Sequence, residues 1–222
     1  MPFTAEQFFE VFAAYNATIW PVQIIAYALG LIAVAMLWSN WLIGKQLVLP
    51  ILAIMWLWNG LAYHLMFFSP INPAAKGFAA IFIVQAILLV ASSISRDSLQ
   101  LEVRRDLRSF LGLTVIFYAL FVYELLGYLS GHGLMKGPLF GVTPCPTTIF
   151  TVGVLLLARG KSVIWLAIIP AIWSMVGLSA AVLFDVREDF ALAVTATMLV
   201  IVLFADFFYR WSFARTAQKI VL

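Results

Sequence analysis

The sequence predicts an all-α polytopic membrane protein with seven transmembrane helices, its N-terminus outside, its C-terminus cytoplasmic, and a short interfacial helix at the start. Three observations predict it. Of 222 residues, 64% are hydrophobic and 10% charged, with a mean hydropathy of +1.06, whereas a soluble domain is about 25% charged. Such a chain has too few charges to cover a water-facing surface. Polar interruptions divide it into seven apolar runs, and a bilayer core of about 30 Å asks for about 20 residues per run. Its basic residues gather on alternate linkers. The composition excludes nucleic-acid binding and cytosolic catalysis, makes the lipid bilayer the main partner, and assigns the net charge of +3 to topology.

Residues 1–17 come first. Thr4 and Gln7 form a capping-box pattern, Glu6 and Glu10 sit one turn apart, and Phe8, Phe9, Phe12 and Tyr15 supply apolar bulk. The segment reads as an amphipathic interfacial helix, lying on the outer leaflet as a flap or covering an outer cavity as a lid. It has neither the basic n-region nor the cleavage site of a signal peptide. Spans are expected at 18–41, 47–68, 77–94, 109–130, 144–158, 163–183 and 190–209, all within one domain over 1–222. The fifth is short. It opens with Thr143 as a cap and Pro144 and Pro146 in the first turn, after a glycine-rich stretch, 131–142, that can dip back into the protein. Faint echoes between 18–20 and 148–150, 58–61 and 173–178, and 78–79 and 190–191 suit a 3+1+3 helix arrangement.

The linkers set the direction. Lys45, Arg96, Arg104, Arg105, Arg108, Arg159, Lys161, Arg210, Arg215 and Lys219 fall on one side, against Lys76, Lys136 and Arg187 on the other. Ten against three places the first side in the cytoplasm, and Trp20, Trp38, Trp41, Trp165 and Trp211 fit interfacial belts in that frame. The loop 96–108 alternates in sign and reads as a solvated helical extension.

The opening Pro2-Phe-Thr-x-Glu6-Gln-Phe-Phe-x-Val11-Phe-x-x-Tyr15-Asn16, followed by Trp20-Pro21, resembles that of DUF6064, an uncharacterised family of bacterial multi-pass integral membrane proteins. The resemblance implies a bacterial inner-membrane location. It carries no activity to any residue.

Three ionisable residues lie within the spans, His64, Glu124 and Asp206, and such residues mark a functional site by default. At 1.5 Å per residue, His64 is roughly 25 Å and Glu124 roughly 22 Å above the cytoplasmic ends of their helices. The two are expected at one depth and in contact. Either they form a proton-linked or cation-binding pair, or they tie helix two to helix four by a structural hydrogen bond. Trp56, Asn59, Gly60, Tyr63 and His64 share one helix face. Trp20, Gln23, Tyr27 and Gly30 in span one, and Phe117, Phe121, Glu124 and Tyr128 in span four, form the matching inward faces, with Gln85, Thr148, Thr151, Trp173, Ser174 and Gly177 completing the set. Asp206 is expected to pair with Arg210, four residues on.

Cys145 is the single cysteine, which excludes an intrachain disulfide or a paired-cysteine redox motif. With His64, Glu124 and His132 it offers one thiolate, two imidazoles and a carboxylate, a set suited to a soft metal ion; as a lone cysteine between prolines it suits a small apolar role equally. The residues needed by retinal proteins, seven-helix zinc hydrolases and rhomboid-like proteases are missing, so catalysis is not expected. Two functions lead, with a sensor or an unrecognised lipid-modifying enzyme as the remaining class. The first is a small transporter or channel for a small solute or cation, with an outward pocket lined by Trp56, Asn59, Tyr63, His64, Glu124 and Trp173. The second is a non-catalytic membrane subunit or assembly factor that holds a partner protein, a lipid or a second copy of itself.

Overall fold

The computed structural model describes residues 2–39, 42–95, 99–131, 133 and 135–220. Helix α1 (Ala5–Ile19) starts at the capping box: the Gln7 amide donates to the Thr4 hydroxyl at 3.2 Å and the Thr4 amide to the Gln7 side chain at 2.9 Å. At Trp20 and Pro21 the chain turns by 86° into α2 (Val22–Leu37). Helix α3 (Leu42–Trp58) continues directly as a π-helical segment, Asn59–Phe68, and α4 (Ala75–Ile94) returns beside it. Helix α5 (Leu107–Phe117) passes through one π turn, Tyr118–Val122, into α6 (Tyr123–Leu129). Helices α7 (Pro144–Leu157), α8 (Val163–Phe184) and α9 (Phe190–Ile220) follow, the last entered through a 3-10 turn, Arg187–Asp189.

The fold is all-α, and its apolar helices mark a membrane protein. Among the described residues, five stretches are long and apolar enough to cross a membrane: Lys45–Phe68, Ala75–Ile94, Leu107–Leu129, Val163–Phe184 and Arg187–Asp206. The bent pair of α1 and α2 makes a sixth if taken as one span. The sequence reading of seven spans differs from this at α2 and α7. Helix α7 has 14 residues, so it extends about 21 Å at 1.5 Å per residue, against about 30 Å of hydrocarbon. Thirteen of its residues are buried. Counting apolar runs does not separate a helix that crosses lipid from one enclosed by its neighbours.

Helix α7 packs against α3, α5, α8 and α9. A Cβ on Gly153 would fall 2.7 Å from Ile116 Cγ1 and 3.0 Å from the Gly112 carbonyl, so only glycine permits this approach of α5 to α7. The stretch before α7 does enter the protein. Phe140 is fully buried, its ring against Tyr27 and Phe150, and Gly141 turns with φ +75° against Ala26 and Met55.

The far end of α7 corrects two expectations. In place of a helical extension, Gln100–Leu101 (β1) pairs antiparallel with Ala158–Arg159 (β2); Arg96 lies outside the described residues. Arg108, 9% exposed, donates to the Leu156 carbonyl at 2.6 Å and the Ala158 carbonyl at 2.5 Å, and pairs with Asp206 at 2.5 Å. The partner of Asp206 is therefore Arg108; the Arg210 side chain lies outside the described ones. The reason lies in α7, whose last carbonyls are enclosed and require a donor. Nearby, Asp106 caps α5 by accepting the Ser109 amide at 2.7 Å and pairs with Arg159 at 3.0 Å. The Ser109 amide, with help from Arg159 and Arg104, holds its carboxyl below the ordinary value of 3.8.

Gly153→Leu is expected to destabilise the protein by about 1–3 kcal/mol through overpacking, read as a lowered midpoint of thermal unfolding in detergent. Asp106 contributes stability above its ordinary value of 3.8 that is lost as pH falls through the lower folded-state value. Asp106→Asn keeps a cap and removes the charge, so the variant is expected to lose less stability than the parent on acidification. Identical acid profiles would contradict this assignment.

Candidate functional site

The ends of the elements opposite Arg108 enclose a cavity of about 210 Å³. Its roof is α1. The Tyr15 phenol donates to the Val142 carbonyl at 2.6 Å and accepts the Trp58 indole N–H at 2.8 Å, while the Asn16 amide donates to the carbonyls of Met135 and Gly137. These bonds fix α1 over the bundle, and Phe8 and Phe12 on it, with Phe3 just before it, line the cavity. Tyr63, Phe68, Phe78, Trp173 and Phe184 form aromatic walls. Phe8 stacks on Phe184 with centroids 4.8 Å apart, and Phe12 on Tyr63 at 5.3 Å.

Cys145 and Asp189 are polar groups of the lining. Asp189 is 2% exposed, sits in the turn before α9, and accepts from the Tyr123 phenol of α6 and from the Cys145 thiol at the start of α7. Three elements therefore meet at one carboxylate. The Trp173 indole lies against the same thiol. Glu188 is fully buried beside Asp189, and the Tyr118 phenol donates to its backbone carbonyl at 2.9 Å.

The residues expected to line one pocket are divided by the structure. Tyr63 and Trp173 line the cavity. His64 lies behind that wall, with no exposure, its ring 4.7 Å from Phe82 and 4.9 Å from Trp173. Neither imidazole nitrogen has a hydrogen-bond partner among the described residues, and the ring packs edge-on among aromatic neighbours. Trp56 donates to the Thr151 hydroxyl at 2.8 Å and packs on Phe82. Asn59 donates to the Met55 carbonyl at 2.8 Å and reaches the Gly141 carbonyl and Thr147 hydroxyl at 3.3 Å. Both residues join α3 to α7.

Glu124 is elsewhere. It accepts the Phe140 amide at 2.7 Å and the Tyr27 phenol, and it borders a groove between α2 and α6 with Phe121, Leu125 and Tyr128. The expected inward face of span four is corrected here: Phe117, Phe121 and Tyr128 are exposed, whereas Ile116, Ala119, Tyr123 and Gly127 are buried. Trp20, at 60% exposure, likewise leaves the inward set of span one. Among the described residues, no three His, Cys, Asp or Glu side chains come together to hold a metal ion. His64 and Cys145 are separate neighbours of Trp173, Glu124 lies apart with Tyr27 and Phe140, and His132 lies outside the described residues. The four-ligand set does not assemble from its described members.

The model of the family of unknown function DUF6064 matches residues 5–213. The chain belongs to this family. No curated protein and no solved structure matches it. In this DUF6064 member, sequence reasoning missed Tyr123, Glu188 and Asp189. A signal existed for the acids: 185–189 carries three carboxylates and one arginine beside the start of an apolar run. Tyr123 gave none, because it neighbours Glu124, toward which the face was drawn.

Because His64 and Glu124 share no partner, His64→Leu and Glu124→Gln are expected to act additively on stability within about 0.5 kcal/mol. A double-mutant cycle read by thermal unfolding checks this, and a coupling above about 1 kcal/mol would restore a direct pair.

Proposed function

We propose that this protein is a small bacterial inner-membrane transporter that receives a small solute or cation in the cavity beneath α1. One observation carries the reading: an aromatic cavity with a buried carboxylate in its lining, at one end of a bundle of apolar helices, roofed by a helix that meets the next at 86°. Apolar concavities with a few convergent polar groups are the usual form of small-molecule sites. Tryptophan inside a span, away from the interfacial belts, has a use here, since Trp173 is part of the wall. The ten-to-three distribution of Lys and Arg supports an outward-facing cavity. With the roof and the linkers on that side outside, the C-terminus is cytoplasmic.

A second reading, a non-catalytic membrane subunit, draws on the exposed Phe117, Phe121 and Tyr128 beside the Glu124 groove. Cys145, the single thiol, separates the two. A membrane-impermeant maleimide is expected to label Cys145 from the outer face of right-side-out vesicles and not from the inner face of inverted ones, with labelling about tenfold faster in Phe8→Ala. A thiol that reacts only after unfolding would remove the transport reading and leave the subunit. A C-terminal reporter fusion is expected to report cytoplasm.

A further inference from the structure

The cavity brings a carboxylate and aromatic faces together, and among the described residues no Lys or Arg lines it. Asp189 takes hydrogen bonds from Tyr123 and Cys145, both of which can donate. Among the described residues, no Lys, Arg or His is bonded to it. Glu188 beside it adds to the negative charge. A buried carboxylate without a countercharge is costly, and a cation entering the cavity relieves that cost.

We propose that the cavity binds a small organic ammonium ion with an apolar body, its charge at Asp189 and its body among Trp173, Phe78 and Phe8. The assignment rests on the solute-binding reading above and names its substrate class. Ring faces attract a desolvated ammonium, and these rings enclose the space that Asp189 borders. Among the described residues the lining has no Lys or Arg, so a phosphate or carboxylate on the same ligand would be left without a countercharge. That favours a free ammonium ion over a zwitterionic lipid headgroup or an amino acid. A bare metal cation would need a shell of oxygen ligands, and this lining is mostly carbon. The volume of about 210 Å³ is below the roughly 300 Å³ where pockets for larger ligands begin, which suits a molecule with one ring. Charge at this end agrees: Glu6, Glu10, Glu124, Asp185, Glu188 and Asp189 stand against Lys76, Lys136 and Arg187, a balance that draws cations.

The test uses the purified full-length protein in detergent. Binding of benzyltrimethylammonium, phenethyl alcohol, phenylacetate and short-chain phosphatidylcholine is measured by calorimetry, and the alkylation rate of Cys145 reports occupancy. The ammonium ion is expected to bind at least tenfold more tightly than the alcohol and to slow alkylation at least fivefold. Phenylacetate and the phospholipid are expected to do neither. In Asp189→Asn the preference for the cation over the alcohol should fall to within twofold. If that variant does not fold, the wild-type order of affinities and the protection of Cys145 decide the matter.

Alcohol and cation binding equally, both protecting Cys145, would overturn the ammonium assignment and leave the cavity a solute site. A folded Asp189→Asn that keeps the tenfold preference would overturn it too, as would equal protection by the phospholipid. Protection by none of the four would overturn both the assignment and the solute-binding reading.

Discussion

Helix α7 is fourteen residues long and thirteen of them are buried, so its polar groups must be met by protein instead of water. At one end Arg108 covers the carbonyls of Leu156 and Ala158. Along its length Thr147 and Thr151 return their hydroxyls to the backbone four residues earlier and accept from Asn59 and Trp56. At the other end two prolines remove N–H groups that would have no acceptor. Once α7 is satisfied in this way, its neighbours have a fixed distance to meet, as Gly112 and Gly153 show. The cavity exists because α7 begins inside the bundle, beneath a roof supplied by α1.

The two ends of the molecule differ in chemistry as a result. One end is held by cations that donate to carbonyls and carboxylates, Arg108 and Arg159 above all. The other gathers carboxylates that receive hydrogen bonds from neutral donors: Phe140 and Tyr27 at Glu124, Tyr123 and Cys145 at Asp189. The first end is therefore closed by ion pairs, and the second by hydrogen bonds between neutral donors and carboxyl groups.

Helical periodicity performed unevenly, for a physical reason. In α3 and the π-helical segment that continues it, the face of Trp56, Asn59, Gly60, Tyr63 and His64 is buried throughout, since polar residues marked it and the opposite side is wholly apolar. In α5 and α6 the aromatic stripe at Phe117, Phe121 and Tyr128 is exposed. A helix facing lipid is apolar on both sides, so hydrophobicity does not distinguish them.

By itself the sequence determined the membrane class, the capped α1, the start of α7 at its Thr-Pro-Cys-Pro opening, and most helix boundaries within a few residues, though not the end of α9, which runs on to Ile220. These depend on local chemistry: capping, proline geometry and runs of apolar residues. It also contained Tyr63, Trp173 and Cys145, which line the cavity. Only the tertiary structure decided that α7 is enclosed, that Glu124 and His64 have different neighbours, that Arg108 takes Asp206, and that Asp189 joins Tyr123 and Cys145. Those pairings connect residues far apart in the chain, and depth along separate helices says nothing about their rotation. The side of a helix that meets its neighbour is set by small residues such as Gly112 and Gly153 and by the need to satisfy buried polar groups, and both act only once the helices are side by side.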